Sequence, residues 1–278
     1  MEIPARISLE KVPASIQSYY KGKGGDYTPL CNLSGGKLVP EASAALFNLC
    51  ESVRAQGGTL LVTDAYRSAE AQDKARKKYE TWVAAGKPSP RTGAYDKKTM
   101  KAAFVSRPGR SNHNAGRAVD LAHMLAAPED VPSGVKLDWL WALAIPLGWR
   151  PIIKDPREGQ SEAWHFDFWG ELAHIRDRLD YGQSAMAGVL DIGGGVGLYS
   201  RLWERWVQAQ LHRIGPDVGD IDGYLGKRTR AGMEELGLPF APKSIWQEKR
   251  DYFTPAEKAV VEEGLLALPS WTGELNVT

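Results

Sequence analysis

Glu162-Ala163-Trp164-His165-Phe166-Asp167-Phe168-Trp169 is the stretch that decides the fold class. From Trp164 onward its polarity alternates with a period of two, the pattern of a strand with one face buried. Trp164, Phe166 and Phe168 fall on one face, and His165 and Asp167 on the other. Working outward, Ala118-Val119-Asp120-Leu121-Ala122 reads as a strand, residues 136–147 as a helix, and Trp149 to Ile153 as another strand. Further upstream, residues 40–56 carry Ala44, Phe47, Leu49 and Val53 at helical spacing and stop at Gly57-Gly58. Thr59 to Thr63 is a short β-rich run, Asp64 to Ser68 a turn, and 69–85 a second helix, followed by a loop-rich segment over 86–110. Helices and strands mix without a regular βαβ repeat, which predicts an α+β fold.

The chain has 278 residues, enough for one large domain and a smaller one. Lys and Arg total 35 against 34 for Asp and Glu, a balance that argues against nucleic acid as a partner. Residues 1–30 are punctuated by Pro and Gly and are expected to wrap onto the main domain. Met1 to Tyr20 lacks a basic segment followed by an apolar run, so no secretory signal is expected, and no stretch reaches the length of a membrane span. A monomer is expected. Cys31 and Cys50 are too few for a disulfide scaffold; two buried thiols or one disulfide are the open readings.

The chemistry concentrates in Ser111-Asn112-His113-Asn114-Ala115-Gly116-Arg117-Ala118-Val119-Asp120, answered by Glu162 and His165. A catalytic zinc site needs three protein ligands, an open position and a nearby base. A loop turning through Gly116 into the 118–122 strand can bring His113 and Asp120 to one ion, with His165 as the distant ligand. Glu162, three residues before His165, must lie in the loop entering the strand to serve as general base. Arg67 offers a planar fork of donors for an oxyanion or a carboxylate. By residue type and spacing alone these groups could equally be structural, as expected for His123, His174 and His212.

The segment 108–120 resembles the S-x-H-x-x-G-x-A-x-D signature of VanY/VanX-type zinc D-alanyl-D-alanine peptidases. Glu162-Ala163-Trp164-His165 resembles that family's E-x-W-H element, and Tyr66-Arg67-Ser68 its upstream motif. The resemblance covers roughly residues 55–170. It implies one Zn²⁺ held by His113, Asp120 and His165, a base at Glu162, an electrophile-stabilising Arg67, and Ser111 and Trp164 as substrate contacts. It also implies a small antiparallel sheet with flanking helices. The related L-alanyl-D-glutamate endopeptidases tend to carry aspartate where this chain has Glu162, which favours a D,D bond.

Composition shifts to small residues between Tyr181 and Ser200. The expected division is therefore a catalytic domain over 1–182, a linker over 183–200 and a small helical domain over 201–278. Val207-Gln208-Ala209-Gln210-Leu211 and Asp222-Gly223-Tyr224-Leu225-Gly226-Lys227-Arg228-Thr229 resemble the peptidoglycan-binding type 1 pattern, with Thr229 capping or opening the following helix. Thr254-Pro255 predicts the start of a helix over 255–266. The glycine run after Val189-Leu190-Asp191 could suggest a nucleotide loop, but a preceding strand and a large α/β sheet would be needed. The expectation is a zinc peptidase acting on bacterial peptidoglycan, an endolysin first and a delivered antibacterial effector second. A non-catalytic wall binder is the rival.

Overall fold

The computed structural model describes residues 10–11, 19–21, 27–29, 36–87, 104–155, 162–170, 179–192, 201–240 and 253–270. The expected α+β architecture is present. Four N-terminal strands, β1 (Glu10–Lys11), β2 (Tyr19–Lys21), β3 (Tyr27–Pro29) and β4 (Lys37–Leu38), pair antiparallel as β1–β4 and β2–β3. The central sheet contains β5 (Val62–Asp64), β6 (Ala118–Leu121), β7 (Trp149–Pro151) and β8 (His165–Phe168). Its order is β5-β6-β8-β7, and every neighbouring pair runs antiparallel. Helices α1 (Pro40–Ala55), α2 (Ala69–Ala84), α3 (His123–Ala126) and α4 (Lys136–Ala144) flank it.

One face of the sheet is covered by α1 and α4. Val119, Leu121, Trp149, Phe166 and Phe168 pack there with Leu46, Leu49, Val53 and Leu140. Burying apolar side chains of this size contributes about 1.5–3 kcal/mol each, which makes this face the main stabilising layer. The alternation in β8 therefore holds for Phe166 and Phe168, but Trp164 departs from it. It lies in the turn before the strand and keeps 38% of its surface exposed. The turn is closed by the His165 N–H donating to the Glu162 carbonyl at 3.0 Å, so the pleat begins only at His165. In α1 the buried stripe is Ala42, Leu46, Leu49 and Val53, whereas Ala44 and Phe47 face outward. The helix enters the core one position out of phase with the stripe expected at its start.

Beyond β8, the helices among the described residues are α5 (Tyr181–Asp191), α6 (Leu202–Ile214), α7 (Lys227–Glu235) and α8 (Pro255–Ala267). They share a second core in which Met186, Leu190, Trp203, Trp206, Val207, Leu211, Met233, Val261 and Leu265 meet. Trp169, just after β8, is part of it, so the end of the sheet is anchored in this second layer. Helix α5 occupies the first half of the segment expected as a linker, and Ser184 through Asp191 are buried. Small residues there permit close helix packing rather than chain flexibility. Because 189–191 is helical, the strand that a nucleotide loop would need is absent at that position.

Helix α7 begins after Gly226, which is its N-cap. Thr229 therefore lies inside the helix and is 1% exposed, correcting the expectation that it caps. At α8 the Thr254 side chain and Glu257 form a reciprocal capping box, with Pro255 in the first turn. Cys50 is a buried free thiol, and burial pushes its pKa up. Cys31 and His174, like residues 88–103 of the expected loop, lie outside the described residues.

Candidate active site

Three short elements converge on the sheet face opposite the main core. The first is the loop 111–116, a run of turns in which Asn114 N–H donates to Ser111 O at 2.9 Å and Arg117 N–H to Asn112 O at 2.9 Å. Gly116 takes φ +63°, a left-handed conformation that costs glycine little, and turns the chain into β6. The second is the segment after β5. Arg67 N–H donates to His113 O at 3.0 Å, and the Asn114 side-chain amide donates to Arg67 O at 2.6 Å. The third is the turn into β8.

These constraints fix the ligand set. His113 Nδ1 sits 2.6 Å from Ala65 O, and donating there leaves Nε2 with its lone pair facing inward. Asp120 and His165 are directly opposite each other in the β6–β8 register. His165 Nε2 lies 2.9 Å from Asp167 Oδ1, which turns Nδ1 toward Asp120. His113 Nε2, Asp120 Oδ1 and His165 Nδ1 then form a triangle with sides of 3.2 Å (imidazole to imidazole), 3.0 Å (His165 to Asp120) and 3.3 Å (His113 to Asp120). Tetrahedral zinc with bonds of about 2.0–2.1 Å separates its donors by about 3.3–3.4 Å. Two imidazoles and a carboxylate at this spacing fit one such ion. Each imidazole also has its outer nitrogen held by an oxygen, the support that metal-bound histidines require.

Electrostatics agree with a site built for positive charge. Burial alone would raise the Asp120 pKa, but hydrogen bonds and charge from His113 and His165 outweigh it and hold the carboxyl well below its usual range. For His165 burial works to lower the pKa, yet the bonds to Asp120 and Asp167 and their charges raise it to about 10.

A cleft of about 470 Å³ opens over the triangle. It is lined by Arg67, Ser111, Glu162, Trp164 and Tyr181, with Phe104 and Ile152 among its apolar walls. The seven candidate site residues read from the sequence, Arg67, Ser111, His113, Asp120, Glu162, Trp164 and His165, all line this one cleft. Glu162 adopts φ +74°, an uncommon conformation for a non-glycine residue, and the tight turn it opens sets the residue at the cleft beside His165. Arg67 pairs with the Asp64 carboxylate and donates to Gln72 Oε1 at 3.0 Å. Gln72 is 1% exposed and itself donates to Ser106 O at 2.9 Å, so the guanidinium is braced from behind.

Sequence reasoning missed four supporting groups. Asp167 orients His165; its signal was present, since period two puts both on one face. Asp64 and Gln72 brace Arg67, three and five positions from it. Tyr181 carried no local signal at all. Burial raises its phenol pKa, as do the charges of Asp167, Glu162 and Asp120, while a backbone N–H from Asn112 opposes the shift; the phenol stays protonated.

Residues 35–171 match the family VanY, D-alanyl-D-alanine carboxypeptidase. The VanY match spans just under half of the chain and contains all the residues above except Tyr181. Among solved structures, VanYB in complex with D-alanine-D-alanine is 21% identical with a TM-score of 0.36. The alignment covers 60% of this chain and 85% of that one. The vancomycin-resistance D,D-pentapeptidase VanY in complex with Zn(II) is 19% identical with a TM-score of 0.35, covering 64% and 94%. An L,D-carboxypeptidase DacB from Streptococcus pneumonia is 24% identical with a TM-score of 0.32, covering 62% and 91%. No curated protein sequence matches the chain.

Proposed function

We propose that this chain is a zinc-dependent peptidase of bacterial cell-wall peptides, cleaving a D-alanyl-D-alanine-type bond. The observation that carries the reading is the 3.0–3.3 Å triangle of His113, Asp120 and His165, with both outer imidazole nitrogens already held. The VanY match over residues 35–171 supports the substrate class. A zinc ion bound there would supply Lewis-acid polarisation of a peptide carbonyl and lower the pKa of water.

The chain's own groups account for the remaining work. Glu162 takes a proton from the attacking water and returns it to the departing amine. Arg67, locked by Asp64 and Gln72, presents its fork of donors to the substrate without having to reorganise. Trp164, partly exposed, and Ser111 both line the cleft and contact the peptide there. The walls contributed by Phe104 and Ile152 suit small apolar side chains such as the methyl groups of alanine.

The region 201–278, which carries α6, α7 and α8, serves as a wall-targeting module in this reading. Its support is the peptidoglycan-binding type 1 pattern at 207–229, where Gln208 bonds Asp222 and the Gly223 N–H to shape the loop. Tethering the site to an insoluble polymer raises local substrate concentration with no new catalytic contact.

The test is digestion of defined muropeptides with mass spectrometry of the fragments. Wild type should release terminal D-alanine or split a D,D cross-link, and Glu162→Gln should not. Release of fragments cut only at L-alanyl-D-glutamate would replace the D,D assignment. The inactive full-length variant should co-sediment with purified sacculi if the module binds the wall.

A further inference from the structure

We propose that Tyr181 is a catalytic residue of this site, supplied by α5 from outside the VanY-matching region, and that its hydroxyl donates a hydrogen bond to the scissile carbonyl oxygen. The inference rests on the peptidase reading and adds a group that none of the sequence motifs contains.

The placement of α5 makes the case. Tyr181 is its first residue and lines the same cleft as His113, Asp120, Glu162 and His165. Its position is fixed from several directions. Asp180 Oδ1 accepts the Gln183 N–H at 2.7 Å, and Ser184 Oγ donates to Tyr181 O at 2.9 Å. Gln183 Nε2 donates to Asp220 Oδ1 at 2.7 Å, which ties the start of the helix to the loop before α7.

The helix is also pressed onto the ligand loop itself. A Cβ built on Gly188 would lie 2.6 Å from the Ala115 Cβ, closer than carbon atoms can approach. Ala115 is two residues from His113. Gly188 is seven residues after Tyr181 and so shares its helix face. The face that needs glycine to reach the 111–116 loop is therefore the face that carries the tyrosine into the cleft.

The hydroxyl is poised to donate. Its oxygen accepts the Asn112 N–H, and the charges it feels most are those of Asp167, Glu162 and Asp120. It shares the cleft lining with His113, Asp120, Glu162 and His165. No side chain among the described residues takes its O–H proton, which leaves that donor for substrate. Such a neutral donor stabilises negative charge growing on the carbonyl oxygen while keeping its own proton.

The experiment uses full-length zinc-loaded protein, Tyr181→Phe, and a peptide ending in D-alanyl-D-alanine. Phenylalanine keeps the ring packing and removes only the donor. Loss of one oxyanion-directed hydrogen bond should lower kcat by about 10- to 100-fold, with KM within about twofold. Zinc stoichiometry and Tm should stay at wild-type values. As a readout independent of turnover, calorimetric affinity for a D-alanyl-D-alanine phosphinate, a mimic of the tetrahedral species, should fall by a similar factor. Affinity for the unreacted dipeptide should not. A Tyr181→Phe enzyme that turns over and binds the phosphinate as wild type does overturns the proposal, as does a variant whose only change is a lower Tm. A wild-type protein that neither cleaves the peptide nor binds the phosphinate overturns the peptidase reading, and this inference with it.

Discussion

Asp167→Asn probes whether the triangle is a metal site. Asp167 is 1% exposed, and its Oδ1 lies 2.9 Å from His165 Nε2. Its carboxylate holds the proton on Nε2, so that Nδ1 offers a lone pair to the ion. The asparagine keeps the shape and an acceptor oxygen but removes a buried charge, and charge-assisted bonds of this kind are about twice as strong as neutral ones. Loss of such an outer-shell partner typically weakens metal affinity about 10- to 100-fold, or about 1.4–2.7 kcal/mol. A second effect opposes it. In the metal-free protein the Asp167 charge is one reason His165 titrates at about 10, and that proton must leave before the ion binds. The variant has less proton to displace at neutral pH. The affinity ratio between wild type and variant should therefore be smaller at pH 7 than at pH 9. Competition with a chromophoric chelator at both pH values measures it. Zinc affinity of the variant within twofold of wild type at pH 9 would refute the orienting role.

Glu162→Gln should lower cleavage by about 10²- to 10⁴-fold while retaining stoichiometric zinc by elemental analysis, because a base and not a ligand is lost. His113→Ala, by contrast, should lose stoichiometric zinc in the same measurement. Chelator-stripped protein should show a pH-dependent Tm. His165, raised from 6.5 to about 10, stabilises the fold fully below about pH 6.5, and this is lost as pH rises through about 10. Asp120, held below its usual 3.8, stabilises above that value, and this is lost as acid protonates it. Thermal melts with chelator should thus show the cluster's contribution greatest between about pH 4 and 6.5. Phe166→Ala, at a position 0% exposed between α1 and α4, should destabilise by about 3–5 kcal/mol in denaturant melts.

The sequence by itself determined the strand carrying His165, the glycine-turned loop carrying His113, and the α+β class. Each of these is written in local periodicity and turn chemistry, which operate over a few residues. Alternation told Phe166 from His165, and Gly116 marked the turn into Asp120's strand. The same local reading misplaced Trp164, because the hydrogen bond that starts β8 at His165 is not encoded in polarity. It also counted 183–191 within a linker where α5 is helical, since small residues look alike whether they loosen a chain or let a helix pack closely. Only the tertiary structure could show that Gly188 lets α5 rest on Ala115, that Asp167 faces the outer nitrogen of His165, and that Asp64 and Gln72 hold Arg67. Those are contacts between surfaces brought together by burial of two separate cores. Spacing along a chain carries no record of which faces meet.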